Sequence, residues 1–392
     1  MFWQNVTAWP LLLLLLAGCE SLTDAPDRSE PSSERDRQRE LHYDWNLPDW
    51  QLMVEDIRGP IATHPDDPDI IFVTANHITA GATGMWKSTD GGQSWNRYTD
   101  GWTVSQAEDI LVHPDHPDTL MVVGNGVSRS TDGGKTWERT LDGLLASSHG
   151  WGLKQITYNR RDDEYYLVQD ARMHGGVFRS DDGDNWEAML PINLPKHVLA
   201  YNEYNGTIYA GPGPTSGVNL IKSSDGGETW HNIDGPPLAP RHLAPVPGSQ
   251  TLYATTREGI YKSYDGAETW VDVNDSVTGQ LNFSGGLAIS ETDTNTVFAG
   301  ATTNILDFQD GEVIDKIDGG LYISHENGES WNRHYSSLPD TLHSHNVHLH
   351  LEQQKNSLFA SKILSTKPNT YLLFQIPDML PSSGTTSTRT RR

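Results

Sequence analysis

Ser130-Thr131-Asp132-Gly133-Gly134-Lys135-Thr136-Trp137 decides the fold, because it recurs. Ser88 to Trp95 reads STDGGQSW, Ser223 to Trp230 reads SSDGGETW, and Ser263 to Trp270 reads SYDGAETW. Ser324 to Trp331 reads SHENGESW, with Glu326 where the others carry Asp. A further copy, RSDDGDNW, aligns on Asp181, Gly183 and Trp186, which places Arg179 where the others have Ser. Successive copies start about 40 to 60 residues apart, the period of one repeated supersecondary unit. The chemistry of the stretch is that of a tight turn. Ser and Asp oxygens accept backbone N–H groups of their own turn, and Gly adopts positive φ without steric cost. The Trp folds back and covers the turn with a large apolar face. Each copy therefore reads as a hairpin between two strands.

These residues resemble the Asp-box, or BNR repeat, of sialidases, sortilin-type receptors and related β-propellers. The resemblance implies that Asp90, Trp95, Asp132, Trp137, Asp181, Trp186, Asp225, Trp230, Asp265, Trp270, Glu326 and Trp331 are structural and belong to neither a catalytic nor a metal site. It implies fold and leaves activity open, since such boxes occur in sialidases, xyloglucanases, sorting receptors and a photosystem assembly factor.

The repeat is larger than its box. Ile110 to Pro114, Thr119 to Gly124 and Gly126 to Ser130 precede one box, and Ile61 to Pro65, Asp69 to Ala75 and Met85 to Ser88 precede another. Each unit reads as four short strands with the box joining the third to the fourth. Beyond the last box, Asn346 to Leu351, Ser357 to Lys362 and Tyr371 to Ile376 form three strands without a box. If Leu41 to Trp50 supplies the fourth, the ends of the chain close a ring and remove its exposed sheet edges. The expected fold is all-β, a seven-bladed β-propeller, with six blades as the alternative should Leu41 to Trp50 pack elsewhere.

A net charge of -24 over 392 residues argues against nucleic acid, because no basic stripe is present to neutralise phosphates. Cys19 is the single cysteine, so no disulfide forms within the chain. The apolar run Leu11 to Leu16 is too short to span a bilayer and reads as the core of a signal peptide. Leu16-Ala17-Gly18-Cys19 resembles a bacterial lipobox, which implies cleavage before Cys19 and lipidation of its thiol, although residues 1–10 contain no Lys or Arg. The expected organisation is a signal peptide over 1–18, a polar disordered tether over 19–40, the propeller over 41–379 and a disordered tail over 380–392. The expected location is a bacterial cell envelope, with a lipid anchor on Cys19.

In such a ring the first strand of each unit lines the channel, and the long loops lie on the face away from the boxes. Aligning the first strands places Arg58, Glu108, Lys154, His197, Arg241, His242 and His345 near the channel mouth, with Trp102, His149 and Trp151 in adjoining loops. Cationic groups beside indoles suit an acidic or hydroxylated ligand. Arg58, Trp102, Trp151, Lys154, His197, Arg241, His242 and His345 are thus the ligand-binding candidates. His343, His345, His348 and His350 alternate along one strand and match no fixed metal spacing, so no metal and no cofactor is expected. The acidic insertion Asp307 to Glu312, with Asp315 and Asp318, lacks EF-hand spacing and reads as a solvated loop.

Two functions remain open. One is an envelope-anchored module that binds a glycan or a protein partner, without catalysis. The alternative is a glycoside hydrolase, sialidase-like or endo-glucanase-like, with Glu108, Asp109 and Asp56 as catalytic candidates. Arg58, Arg241 and Arg257 would have to serve as a sialidase arginine cluster, but the Arg-Ile-Pro signature is absent and Arg58-Gly59-Pro60 stands in its place. No nucleophile-elbow pattern is present for serine chemistry.

Overall fold

The structure is a computed structural model that describes residues 51–55, 59–75, 83–141, 143–144, 152–170, 175–189, 198–212, 220–274, 286–290, 293–301, 304–309, 312–317, 320–334, 352–354, 357–364 and 370–376. The proposed signal peptide, lipobox, tether and tail lie outside these residues, as does Leu41 to Trp50.

After β1 (Gln51–Glu55) come six units of one design. The first is β2 (Ile61–Thr63), β3 (Ile71–Ala75), β4 (Gly84–Ser88) and β5 (Asn96–Tyr98). The second is β6 (Ala107–Val112), β7 (Leu120–Gly124), β8 (Val127–Ser130) and β9 (Glu138–Arg139). The third is β10 (Leu153–Asn159), β11 (Glu164–Gln169), β12 (Gly176–Ser180) and β13 (Glu187–Ala188). The fourth is β14 (Val198–Asn202), β15 (Thr207–Gly211), β16 (Leu220–Ser223) and β17 (His231–Ile233). The fifth is β18 (His242–Pro245), β19 (Leu252–Thr255), β20 (Ile260–Ser263) and β21 (Val271–Asp272). The sixth is β22 (Leu287–Ile289) and β23 (Val297–Ala301), a hairpin of β24 (Asn304–Gln309) and β25 (Glu312–Ile317), then β26 (Gly320–Ser324) and β27 (Asn332–His334). Each unit is a four-stranded antiparallel sheet in chain order, with the hairpin forming its own two-stranded sheet between β23 and β26.

The sequence explains the layering. Second strands such as Leu120-Met121-Val122-Val123-Gly124 and Thr207-Ile208-Tyr209-Ala210-Gly211 are buried throughout. Both faces of each sheet pack on neighbouring sheets, so an apolar run replaces the alternation of a half-exposed strand. Outer strands are short and charged, as in Glu138-Arg139, and stay exposed. Charge on a short edge strand disfavours pairing with another chain.

The innermost strands β2, β6, β10, β14, β18 and β22 neighbour one another in that order, so six blades are arranged in a ring where the sequence led to an expectation of seven. A further four-stranded sheet is built differently. β28 (Glu352–Gln354), β29 (Ser357–Leu364) and β30 (Thr370–Ile376) are joined on the outside by β1, which runs antiparallel to β30 from Gln51 opposite Gln375 to Glu55 opposite Leu372. It carries no box, and β28 neighbours both β22 and β2. The strand that joins the C-terminal three is thus Gln51–Glu55, directly after the segment expected for the role. The acidic insertion is a second departure: it pairs as β24–β25, with bulges around Asp307, and is not an open loop.

Candidate functional site

The box turns behave as their residues require. Ser130 Oγ donates to Asp132 Oδ1 at 2.8 Å and accepts from Gly134 N at 2.9 Å. Asp132 Oδ1 also accepts Lys135 N and Thr136 N, and Oδ2 accepts the Thr136 hydroxyl at 2.8 Å. Gly133 and Gly134 sit at φ 72° and 83°, and Trp137 donates Nε1–H to Gly134 O. Box six keeps Ser324 accepting Gly328 N, and Glu326 Oε2 takes the Ser330 hydroxyl.

The third box corrects the sequence alignment. Ser180 Oγ donates to Asp182 Oδ1, Gly183 N donates to Ser180 Oγ, and Asp182 accepts Asp184 N, Asn185 N and Asn185 Nδ2. The box carboxylate is Asp182 rather than Asp181, and the serine position is Ser180 rather than Arg179. The turn is one residue shorter than the others, so matching on Gly183 and Trp186 shifts the acidic position by one. Two adjacent aspartates concealed the shift.

A feature not anticipated from the sequence joins the blades. The residue before each box serine is basic in the first five blades, and it reaches the next blade's box. Lys87 Nζ donates to Gly133 O at 2.9 Å, Lys222 Nζ to Gly266 O at 3.2 Å, and Lys262 Nζ to Asn327 O at 2.7 Å. Arg129 pairs with Asp184 at 2.9 Å, and Arg179 reaches Gly226 O and Glu228. Lys262 also lies over the Tyr253 and Tyr264 rings, and burial pushes its amine down to about 8. Blade six carries Ile323 at this position, and the sheet beside it offers no box to reach.

The antiparallel order places the box turns and the first-to-second-strand turns at one end of the ring. The starts of the inner strands lie at the other end, where the ligand candidates were expected. There Lys154 Nζ and Glu108 Oε1 form an ion pair at 2.7 Å between β10 and β6. Both stand at matching β-bulges, between Ala107 and Asp109 and between Leu153 and Gln155. The next residue of each strand ties neighbouring blades together. Asp109 Oδ2 accepts Ile156 N at 3.0 Å, and Gln155 Oε1 accepts Leu199 N at 2.7 Å. Burial raises Asp109 to about 7 against the hydrogen bonds from Ile156 and Ile110, and the charge of Glu108 adds to the rise.

Arg241 precedes β18, is half-buried and donates its backbone N–H to Thr255 O at 2.7 Å. Burial, then the like charge of Arg257 in the β19–β20 turn, lowers its pKa. No carboxylate among the described residues forms an ion pair with it. Arg257 pairs with Glu258 at 3.5 Å. His242 is half-buried on β18, opposite Thr255. Trp102 stands apart from these groups: its ring packs edge-on against Trp137 at 5.1 Å, between the first two blades. Arg58, Asp56, His149, Trp151, His197 and the His343–His350 group lie outside the described residues. Among the described residues no three His, Cys, Asp or Glu side chains converge as metal ligands.

A family model for the BNR/Asp-box repeat matches residues 128–139, the second box with its flanking strands. The chain is a β-propeller with Asp-box repeats. The propeller is similar in fold to YCF48 from Cyanidioschyzon merolae, at 15% identity and a TM-score of 0.57 over 84% of this chain and 99% of that one. It is likewise similar to YCF48 bound to D1 peptide, at 16% identity and a TM-score of 0.60 over 86% and 98%. The GH74 xyloglucanase from Xanthomonas campestris gives 17% identity and a TM-score of 0.57, over 85% of this chain and 56% of the enzyme. No curated protein sequence matches this chain. At these identities the likeness concerns the fold, and the resemblance to Asp-box propellers read from the boxes holds at that level.

Proposed function

We propose that this propeller is a non-catalytic binding module, anchored to a bacterial envelope through Cys19, that holds an acidic segment of a protein partner at the end of the ring opposite the boxes. The observation that carries this reading is Arg241. Burial and the like charge of Arg257 both weigh against this half-buried guanidinium, and an anion beside it would offset both. Lys154 and Glu108 supply a paired donor and acceptor at the same end. YCF48, which is similar in fold, is bound to a D1 peptide in one structure, and that supports a protein partner. The same reading takes the sheet of β28, β29, β30 and β1 as a seventh, closing blade, since β28 neighbours both β22 and β2.

The test is fluorescence anisotropy of the full chain with acidic, neutral and basic peptides of equal length. Acidic peptides should bind alone, and Arg241→Ala should weaken them tenfold or more, with affinity falling as salt rises. Equal binding of all three peptides, or none, overturns the reading. Cys19→Ala should move the protein from the membrane to the soluble fraction. A glycosidase is favoured by one observation: the Asp109 carboxyl is raised to about 7, the range of a general acid. Against it, both oxygens of Asp109 accept backbone N–H groups, and Glu108 is held by Lys154. Sugar release that disappears in Asp109→Asn would establish the enzyme instead.

A further inference from the structure

The end of the ring that carries the boxes opens into a polar cavity of about 590 Å³, at the mouth of the channel. Turns from five blades enclose it, and Arg160, Glu203, Tyr204, Asp66 and Pro247 are on its wall. Its volume lies within the range of small-molecule sites. Tyr204 is the observation that gives it a ligand. At 62% exposure it has the greatest exposure among the large hydrophobic side chains described. The turn that carries it is firmly built. Tyr204 N and Thr207 N bond to the side chains of Asn202 and Asn205, Gly206 N bonds to Asn202 O, and Gly206 takes φ 71°. Asn202 is itself anchored to Ser249 O of the next blade at 3.0 Å. The ring is thus presented on a rigid support at the cavity rim.

The cation on that wall is already matched by a carboxylate behind it. Arg160 Nε donates to Asp115 Oδ2 at 3.0 Å, and Glu203 is near enough to act on the same guanidinium. An aromatic face beside oriented donors and acceptors meets both needs of a sugar: its C–H face stacks and its hydroxyls hydrogen-bond. The charge selects within that class. Arg160 is already committed to Asp115, which disfavours uronic and sialic acids, whose carboxylates need a cation of their own.

We propose that this cavity is a subsite for a neutral oligosaccharide, stacked on Tyr204 and oriented by Arg160 and Glu203. It lies at the opposite end of the ring from Arg241 and does not depend on the peptide reading. The probes are neutral glucan hexasaccharides of β-1,4, β-1,3 and α-1,4 linkage, a hexa-uronate and an arginine-rich peptide, titrated into the full chain by calorimetry. At least one neutral glucan should bind. Tyr204→Ala should weaken it tenfold or more, and Tyr204→Phe, which keeps the stacking face, should retain it. Arg241→Ala should leave it unchanged, so the two sites fail or survive separately. Absence of neutral-glucan binding overturns the proposal, as does binding indifferent to Tyr204→Ala. Preference for the hexa-uronate, or for the basic peptide through Tyr204, also overturns it. Tyr204 is exposed, so unfolding of the variants is not expected; circular dichroism checks that point.

Discussion

Asp182 and Asp181 are neighbours with opposite fates. Asp182 holds two backbone N–H groups and an amide, whereas Asp181 is exposed and takes no part in the turn. Asp182→Ala should cost about 1–3 kcal/mol, and Asp181→Ala about 0.5 kcal/mol or less, in denaturant unfolding. Equal effects would show that the third box does not work as its hydrogen bonds indicate. The boxes also set acid behaviour. Hydroxyl and backbone bonds from Ser94, Thr229 and Thr269 hold Asp90, Asp225 and Asp265 at about 2. In Asp132, bonds from Thr136 and Ser130 do the same against the opposing pull of burial. Folded values below the unfolded 3.8 mean that this stabilisation is complete above pH 3.8 and is lost as pH falls through about 2. Thermal midpoints should therefore decline across pH 4 to 2, and less steeply in a variant with Asp90→Asn and Asp225→Asn.

Neighbouring blades are joined by elements that recur with the blade. A cation at the end of the third strand crosses to the next box at five junctions, and its clearest case is Lys262 on Asn327 O. Lys262→Met keeps much of the stem's apolar contact and removes the cap, so it should cost about 1–3 kcal/mol. Ile323→Lys should yield no comparable gain, because the adjacent sheet holds no box carbonyl to receive it. A gain of similar size would contradict the clasp as the role of this position. At the inner strands, the end residue closes the turn that follows. His113 Nδ1 accepts Asp115 N and His116 N, Asn159 Oδ1 accepts Arg161 N and Asp162 N, and Ser290 Oγ accepts Asp293 N. Different residues meet one requirement, an acceptor at that place, which is why the repeat is hard to align by identity there.

For the whole molecule the decisive event is the meeting of the two ends. β1 pairs along the outer edge of β30, whose backbone would otherwise be left as an open strand edge. Deleting Gln51–Glu55 from the full chain should lower the thermal midpoint by about 5 °C or more and promote aggregation. An unchanged midpoint would mean that this sheet contributes little to the cooperative unit.

By itself the sequence determined the repeat, its four-strand design and the all-β propeller, because boxes and apolar second strands are local patterns that carry their own physics. It also placed Glu108, Lys154 and Arg241 near the starts of the inner strands. Only the tertiary structure decided what those residues face. Lys154 and Glu108 pair because two bulges turn them toward each other across 46 positions of chain, and no local rule sets a bulge register. Likewise Asp182 replaced Asp181, and the acidic insertion became a hairpin, since hydrogen-bond pairing and not composition fixes both. The cavity beside Tyr204 was invisible for the same reason: its wall comes from five turns that are distant in sequence and meet only when the ring forms.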